Sequence, residues 1–272
     1  MSGRATLTPM RTASTLRFLR ALLATNLRAS FALRGAFWLQ VAFMTLNDIA
    51  WLSVWWIFFG RFETIAGWRF GDFLALHGTI AIGFGLTVVV AGGVRELART
   101  IHEGDLDVFL TQPKPALLHV VASKTRASGW GDMAYGVLVL SLSGDRGAGA
   151  VPAALVATLC SATVFLSMGI VAHSLAFWLG PVQSIARQWW EFLIVFSGYP
   201  ETIFSGGLRM LLFSVVPAAF IGWLPSSLLR DFTWTGLLAA VGGAIAYGSL
   251  AVLVFHAGLK RYASGSHFGV RA

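Results

Sequence analysis

Residues 234–255 read WTGLLAAVGGAIAYGSLAVLVF, twenty-two residues without a charged side chain. As an α-helix this stretch is about 33 Å long, enough to cross a hydrocarbon core of about 30 Å. Residues 72–92, DFLALHGTIAIGFGLTVVVAG, repeat the pattern, with one charge at the edge. Neither run alternates apolar and polar residues, as the short strands of a membrane barrel do. The rest of the chain agrees. Of its 272 residues 56% are hydrophobic and only 12% are charged, about half the charge of a soluble domain. A large soluble fold is excluded, and an all-α membrane protein with roughly six spans is expected. The single cysteine, Cys160, lies inside an apolar run, which leaves no disulfide framework and no cysteine-ligated metal.

Residues 1–34 carry Arg4, Arg11, Arg17, Arg20, Arg28 and Arg34 and no acid. Leu16, Leu19, Leu23, Leu27 and Phe31, with Leu22 beside them, recur at helical spacing between the arginines. That pattern predicts an amphipathic helix lying on a membrane surface. A secretory signal fits poorly, because the first long apolar run begins only near Gly35 and no convincing cleavage site follows. Spans are expected at 35–59, 72–92, 130–143, 150–175 and 234–255. The region 182–225 allows two cuts. A fifth span at 182–199 would be followed by a broken or re-entrant element to 224; alternatively 182–199 lies on the surface and 204–224 crosses. Pro200, Pro217 and Pro225 punctuate the region, and non-helical backbone at membrane depth needs cover from protein or a wet cavity. The expected organisation is a connecting helix at 1–34, a transmembrane domain at 35–256 containing a polar loop at 93–129, and a basic tail at 257–272.

Six spans with an inside N-terminus put fifteen of the 20 Lys and Arg on the cytoplasmic side. Six lie at the N-terminus, five in the central loop, three in the tail, and Arg187 adds one; Arg61, Arg69, Arg146, Arg209 and Arg230 remain outside. This is the positive-inside asymmetry, and it predicts a multi-pass protein of the cell membrane with both termini cytoplasmic. The net charge of +8 is therefore read as orientation and not as a nucleic-acid footprint, which would pool the positives on one folded domain.

Catalytic chemistry finds no support. No HExxH and no histidine pair at metal-ligand spacing occurs, so no metal site is expected. The only loose serine–histidine string, Gly265-Ser266-His267, falls in the polar tail. A phosphate-binding loop needs GxxxxGK[ST], and Lys114, Lys124 and Lys260 have no such setting. Any ATP-driven work would need a partner. His77 and His173 read as hydrogen-bonded structural groups. Asp48, with Asn47 beside it, lies within the first span, where a carboxylate costs about 2.5–3.5 kcal/mol on insertion scales; it serves either as a proton or cation site or as an interhelical hydrogen bond. Asp132 and Asp72 are expected near interfaces. Small residues at Ala240, Ala244 and Gly248 suit close helix packing.

The central loop holds RELARTIHEGDLDVFLTQP at residues 95–113, with Pro113 at its end. A helix is expected to stop at Gly104, and Asp105 then reads as the N-cap of a short second segment. Leu106, Phe109 and Leu110, flanked by charge, form a candidate docking edge; an ordinary solvated loop is the alternative.

Here the sequence resembles the small six-span permeases of type-2 ABC exporters. Residues 101–113, IHEGDLDVFLTQP, resemble their cytoplasmic motif. Tyr199-Pro200, Ile203-Phe204, Arg209 and Val216-Pro217 follow in the family's order, and Lys260-Arg261-Tyr262 fits its tail. The resemblance implies a permease without catalytic residues, moving a substrate out of the cytoplasm. It implies a dimer with a second copy or a similar permease, and a pair of ABC subunits that hold ATP and Mg; this chain binds no cofactor itself. Ile101, His102, Glu103, Gly104, Asp105, Leu106 and Asp107 would contact the ATPase. Asn47, Asp48, Tyr199, Pro200 and Pro217 are candidates for the pathway or gate. The resemblance favours the cut that makes the segment after Pro200 re-entrant. A proton-driven secondary transporter with Asp48 as carrier, and a non-transporting scaffold, are the alternatives.

Overall fold

A computed structural model describes residues 12–144 and 149–262. Arg4, Arg11, Arg146, Arg271 and the Gly265-Ser266-His267 string lie outside the described residues. The chain folds into α1 (Thr12–Ala32), α2 (Arg34–Phe59), α3 (Phe70–Val90), α4 (Leu97–His102), α5 (Leu106–Leu110), α6 (Ala116–Ala122), α7 (Ser128–Leu142), α8 (Ala150–Ser174), α9 (Ala176–Leu179), α10 (Gln183–Ser197), α11 (Gly206–Ser214), α12 (Leu224–Arg230) and α13 (Trp234–Leu259). A 3₁₀ turn (Gly92–Glu96) joins α3 to α4, and a π-turn (Ala219–Trp223) leads into α12. Among the described residues no β-strand forms; one isolated bridge pairs Ile65 with Trp68.

Four helical stretches, Arg34–Phe59, Phe70–Val90, Ala150–Leu179 and Trp234–Leu259, are long and apolar enough to cross a membrane. The pair Gly206–Ser214 and Ala219–Arg230 would make a fifth, but it bends by 65°. Pro217 sits in that bend, where a helix interior cannot hold a proline without losing a backbone hydrogen bond. α7 and α10 have 15 residues each, about 22 Å of helix.

α3 is the axis of the bundle, buried over most of its length. α7 runs antiparallel along it at unusually close range. A methyl group built on Gly85 would stand 2.5 Å from the Gly129 carbonyl oxygen, and one on Gly78 would stand 2.9 Å from the Gly136 carbonyl oxygen. Glycine is required at both levels because the backbones themselves touch. α8 packs on the other flank of α3 and carries α13. In α13 Ala240 and Ala244 are buried, and Gly243 faces the ring of Phe220 from the π-turn.

The bent pair returns to the end of the bundle it leaves. Tyr247 of α13 donates to the Ser214 carbonyl (2.7 Å), placing the tip of α11 halfway along α13. Beyond the π-turn, Arg230 at the end of α12 pairs with Asp72 at the start of α3 (3.5 Å) and stacks over Trp68, 4.3 Å from its ring centre. Thr202, ahead of α11, donates to Ala66 in the same α2–α3 loop. Trp68 is fully buried there, so this loop is folded rather than a simple connection.

α1 is separate from α2 at Leu33, whose backbone leaves the helical region. Its inward stripe is Phe18, Leu19, Leu22, Leu23, Asn26 and Leu27, while Leu16 and Phe31 point away. The expected amphipathic stripe is thus rotated at both ends, because the partner is α6: Asn26 donates to the Ala122 carbonyl (2.8 Å), and the Phe18 ring meets His119 edge-on.

Candidate coupling surface

The segment 97–110 projects from the end of the bundle opposite Trp68 and Arg230. α4 closes on Glu103, and Gly104 follows with φ of +84°, a left-handed turn that suits glycine at a helix end. α5 starts at once. Asp105 occupies its N-cap position but makes no side-chain capping bond, so the expected cap exists in place only.

Ion pairs hold α4 rigid. Arg99 binds Glu96 (3.3 Å) and Glu103 (2.7 Å), and Arg126, from the turn before α7, binds Glu96 (3.0 Å). Burial works against the Glu96 charge, yet the hydrogen bond from Arg99 and the charges of Lys124 and Arg126 hold its carboxyl below the usual range.

Two further side chains, neither legible as functional in the sequence, lock the segment to the bundle. The Gln183 amide at the start of α10 accepts from the Arg99 backbone N–H and donates to the Arg95 carbonyl. Tyr262, just past α13, donates from its hydroxyl to the Gly104 carbonyl (2.9 Å). Burial, then the neighbouring Asp107 and Asp105 charges, push the Tyr262 hydroxyl up to about 12. A polar residue two places after Pro181 was the one available signal for Gln183; Tyr262 carried only its position in the tail.

The seven sequence-predicted coupling residues divide. Ile101 and Leu106 are buried and seat the turn; Gly104 and Asp107 are half-buried; His102, Glu103 and Asp105 are exposed. The apolar docking edge also differs from expectation. Leu106 is fully buried and Phe109 is turned onto His119, centre to centre 4.9 Å, so Val108 and Leu110 are the exposed apolar pair. A five-residue helix fixed by its first side chain can present only what that seat leaves outward. His119, between Phe18 and Phe109, is held below the ordinary histidine value by burial.

The proposed pathway residues occupy separate places. Tyr199 and Pro200 follow α10 at the Trp68 end, where the Tyr199 carbonyl accepts from Trp223 (2.7 Å) and its ring meets Trp55. Pro217 lies in the bend of α11 and α12. Asn47 is exposed on α2, and Asp48 faces α7. Asp132, expected near an interface, is instead buried within the α2–α3–α7 packing, 4% exposed. His77 bonds to the Gly198 carbonyl (3.0 Å) and His173 to the Gly169 carbonyl (2.8 Å). Among the described residues no group of three or more His, Cys, Asp or Glu could hold a metal ion.

A charged, pinned turn at one end of an apolar bundle, with no nucleotide loop in the chain, fits a membrane subunit served by a partner. A family model described as ABC-2 family transporter protein matches residues 44–266. The chain belongs to this family. No curated protein and no solved structure matches it. As an ABC-2 membrane protein it is a multi-pass protein, its role is that of an ABC transporter permease, and the family implies an ABC ATPase as partner in general.

Proposed function

We propose that the chain is the permease subunit of an ABC exporter, moving a substrate out of the cytoplasm when a separate ATPase binds and hydrolyses ATP with Mg. Six spans, α2, α3, α7, the α8–α9 stretch, α10 and α13, form the 35–256 domain, and the bent α11–α12 pair is a re-entrant element on the outer face. α10 counts as a span because Gln183 meets Arg95 and Arg99 at one end of the bundle while Gly198 meets His77 near the other. Short spans such as α7 and α10 are accommodated by local bilayer thinning. Both termini are cytoplasmic in the cell membrane, with residues 1–34 as the connecting helix and 257–272 as the basic tail. A second copy or a similar permease completes the pathway, which Asn47, Asp48, Tyr199, Pro200 and Pro217 border.

The observation that carries this reading is the pinned α4–Gly104–α5 turn, which offers Val108 (61% exposed) and Leu110 (40%) on the same short segment as the exposed His102, Glu103 and Asp105. A small apolar centre with a charged rim is the anatomy of a docking contact. Residues 93–129 are then the coupling loop. ATP shifts the permease between inward- and outward-facing states only by the ATPase's different affinity for the two, and a rigid turn transmits that difference.

The test is co-purification with the cognate ABC ATPase and ATP hydrolysis in proteoliposomes. Val108→Glu with Asp105→Lys is expected to dissociate the pair or remove stimulated hydrolysis while the permease stays folded. Intact assembly with unchanged hydrolysis would sink the assignment. Substrate movement by the permease without any ATPase would favour a proton-driven transporter instead.

A further inference from the structure

Two carboxyl groups meet inside the bundle. Asp48 of α2 and Asp132 of α7 lie within side-chain hydrogen-bonding reach of each other. The helices are close there: a methyl on Gly131 would strike the Val41 carbonyl, and Thr45 donates to the Gly131 carbonyl. On Asp132 and on Asp48 one carboxylate oxygen, Oδ2, is buried without a donor. One turn along α7, on the same face, the Tyr135 hydroxyl is also buried and unpartnered, 2% exposed, and it feels the Asp48 charge. Three neighbouring buried polar atoms without a partner are out of keeping with a settled interior, where nearly all such atoms are paired.

The surrounding charges do not resolve this. Asn47 beside Asp48 contributes a hydrogen bond. Arg95, on the 3₁₀ turn, is the cation whose field reaches Asp132, but no ion pair joins them among the described residues, and its guanidinium stacks 5.6 Å from the Trp190 ring centre. At this level α3 contributes Gly85, packed on the Asp132 β-carbon, and no ionisable side chain.

We propose that Asp48 and Asp132 form a proton-binding site that closes the α2–α7 seam. Two buried carboxylates in contact cannot both be ionised, whereas one proton between them turns repulsion into an O–H···O⁻ hydrogen bond. The shared proton belongs to the pair and not to either residue. The Tyr135 hydroxyl lies within the field of the remaining charge without a hydrogen bond to it. Two carboxylates and one phenol fall short of the six or more ligands that calcium or magnesium takes, and among the described residues no group of three or more His, Cys, Asp or Glu could hold a metal ion; the ligand of this proposal is the proton. Loss of the proton makes the seam repulsive, so alkaline pH opens α2 from α7. This does not rest on the ATPase reading and requires no transport of the proton.

The experiment is infrared spectroscopy of the whole chain in nanodiscs across a pH titration, with and without carboxyl-¹³C aspartate. Wild type is expected to show a protonated-carboxyl stretch that moves with the aspartate label and disappears as pH rises. Asp48→Asn with Asp132→Asn removes the band, and Tyr135→Phe shifts it while leaving both carboxyls. Absence of any label-sensitive protonated-carboxyl band in wild type overturns the proposal, with no variant needed. An unchanged band in a folded double variant overturns it too, as does a sodium-dependent rise in the Tm of wild type with both groups ionised.

Discussion

Tyr262 joins two distant parts of the chain: its hydroxyl donates to the Gly104 carbonyl, with Asp107 also within hydrogen-bonding reach. Such a bond contributes about 1 kcal/mol. Tyr262→Phe keeps the ring contact with Phe177 and removes the bond, so amide exchange at residues 103–107 is expected to quicken by roughly fivefold. Unchanged exchange would show that the turn is held elsewhere. His119 makes a pH prediction on the same face. Its folded value lies below 6.5, so docking of α1 is undisturbed above pH 6.5 and weakens as pH falls below it, when the buried ring gains charge. Exchange along α1 measured across that range checks this; His119→Phe should flatten the response. Neither residue announced itself in the sequence. Gln183, Tyr262 and His119 owe their roles to partners 84, 158 and 101 positions or so away, and no local pattern encodes a distant carbonyl or ring.

At the scale of elements, the legible parts were those that need no partner to be recognised. Long apolar runs with at most one or two charges gave α2, α3, α8 and α13, because length and apolarity alone select a membrane helix. Gly104 and Pro217 marked real breaks, because each acts on its own backbone, whereas Pro225 sits in the first turn of α12 without ending a helix. The outward side of α5 and the face of α1 were misjudged, since which apolar residue is covered depends on what lies opposite. The α3–α7 seam shows the same limit: its glycines drew no reading in the sequence, yet they fix how close the helices come. Gly85→Ala sets a methyl against the Gly129 carbonyl, and overpacking of this kind costs about 1–3 kcal/mol. Gly242→Ala, with nothing within 4 Å, is the control. Thermal unfolding in detergent is expected to separate them, with Gly85→Ala several degrees lower; equal melting would contradict the backbone contact.

For the whole molecule, the positive-inside count predicted orientation, and the structure gathers the ion pairs of Arg99 and Arg126 at one end and that of Arg230 at the other. Arg230 is the clamp at that end: it stacks on Trp68 and pairs with Asp72, closing α12 onto the α2–α3 loop. A partly shielded cation over an indole is worth about 0.5–2 kcal/mol. Arg230→Ala should therefore expose cysteines placed in that loop to an impermeant thiol reagent added outside, in a Cys160→Ser background. Equal labelling with and without Arg230 would mean that the clamp does not cover the loop.

The single non-helical residue between α1 and α2 also sets a phase. Each added residue turns a helix by about 100°. Asn26 and Phe18 fix α1 to α6, while Asp48 fixes α2 to α7. One residue inserted or deleted at Leu33 would leave both helices intact and apolar, and would put their two faces out of step. Chain length at that junction therefore carries structural information of its own, and it tolerates substitution far better than it tolerates a change in count.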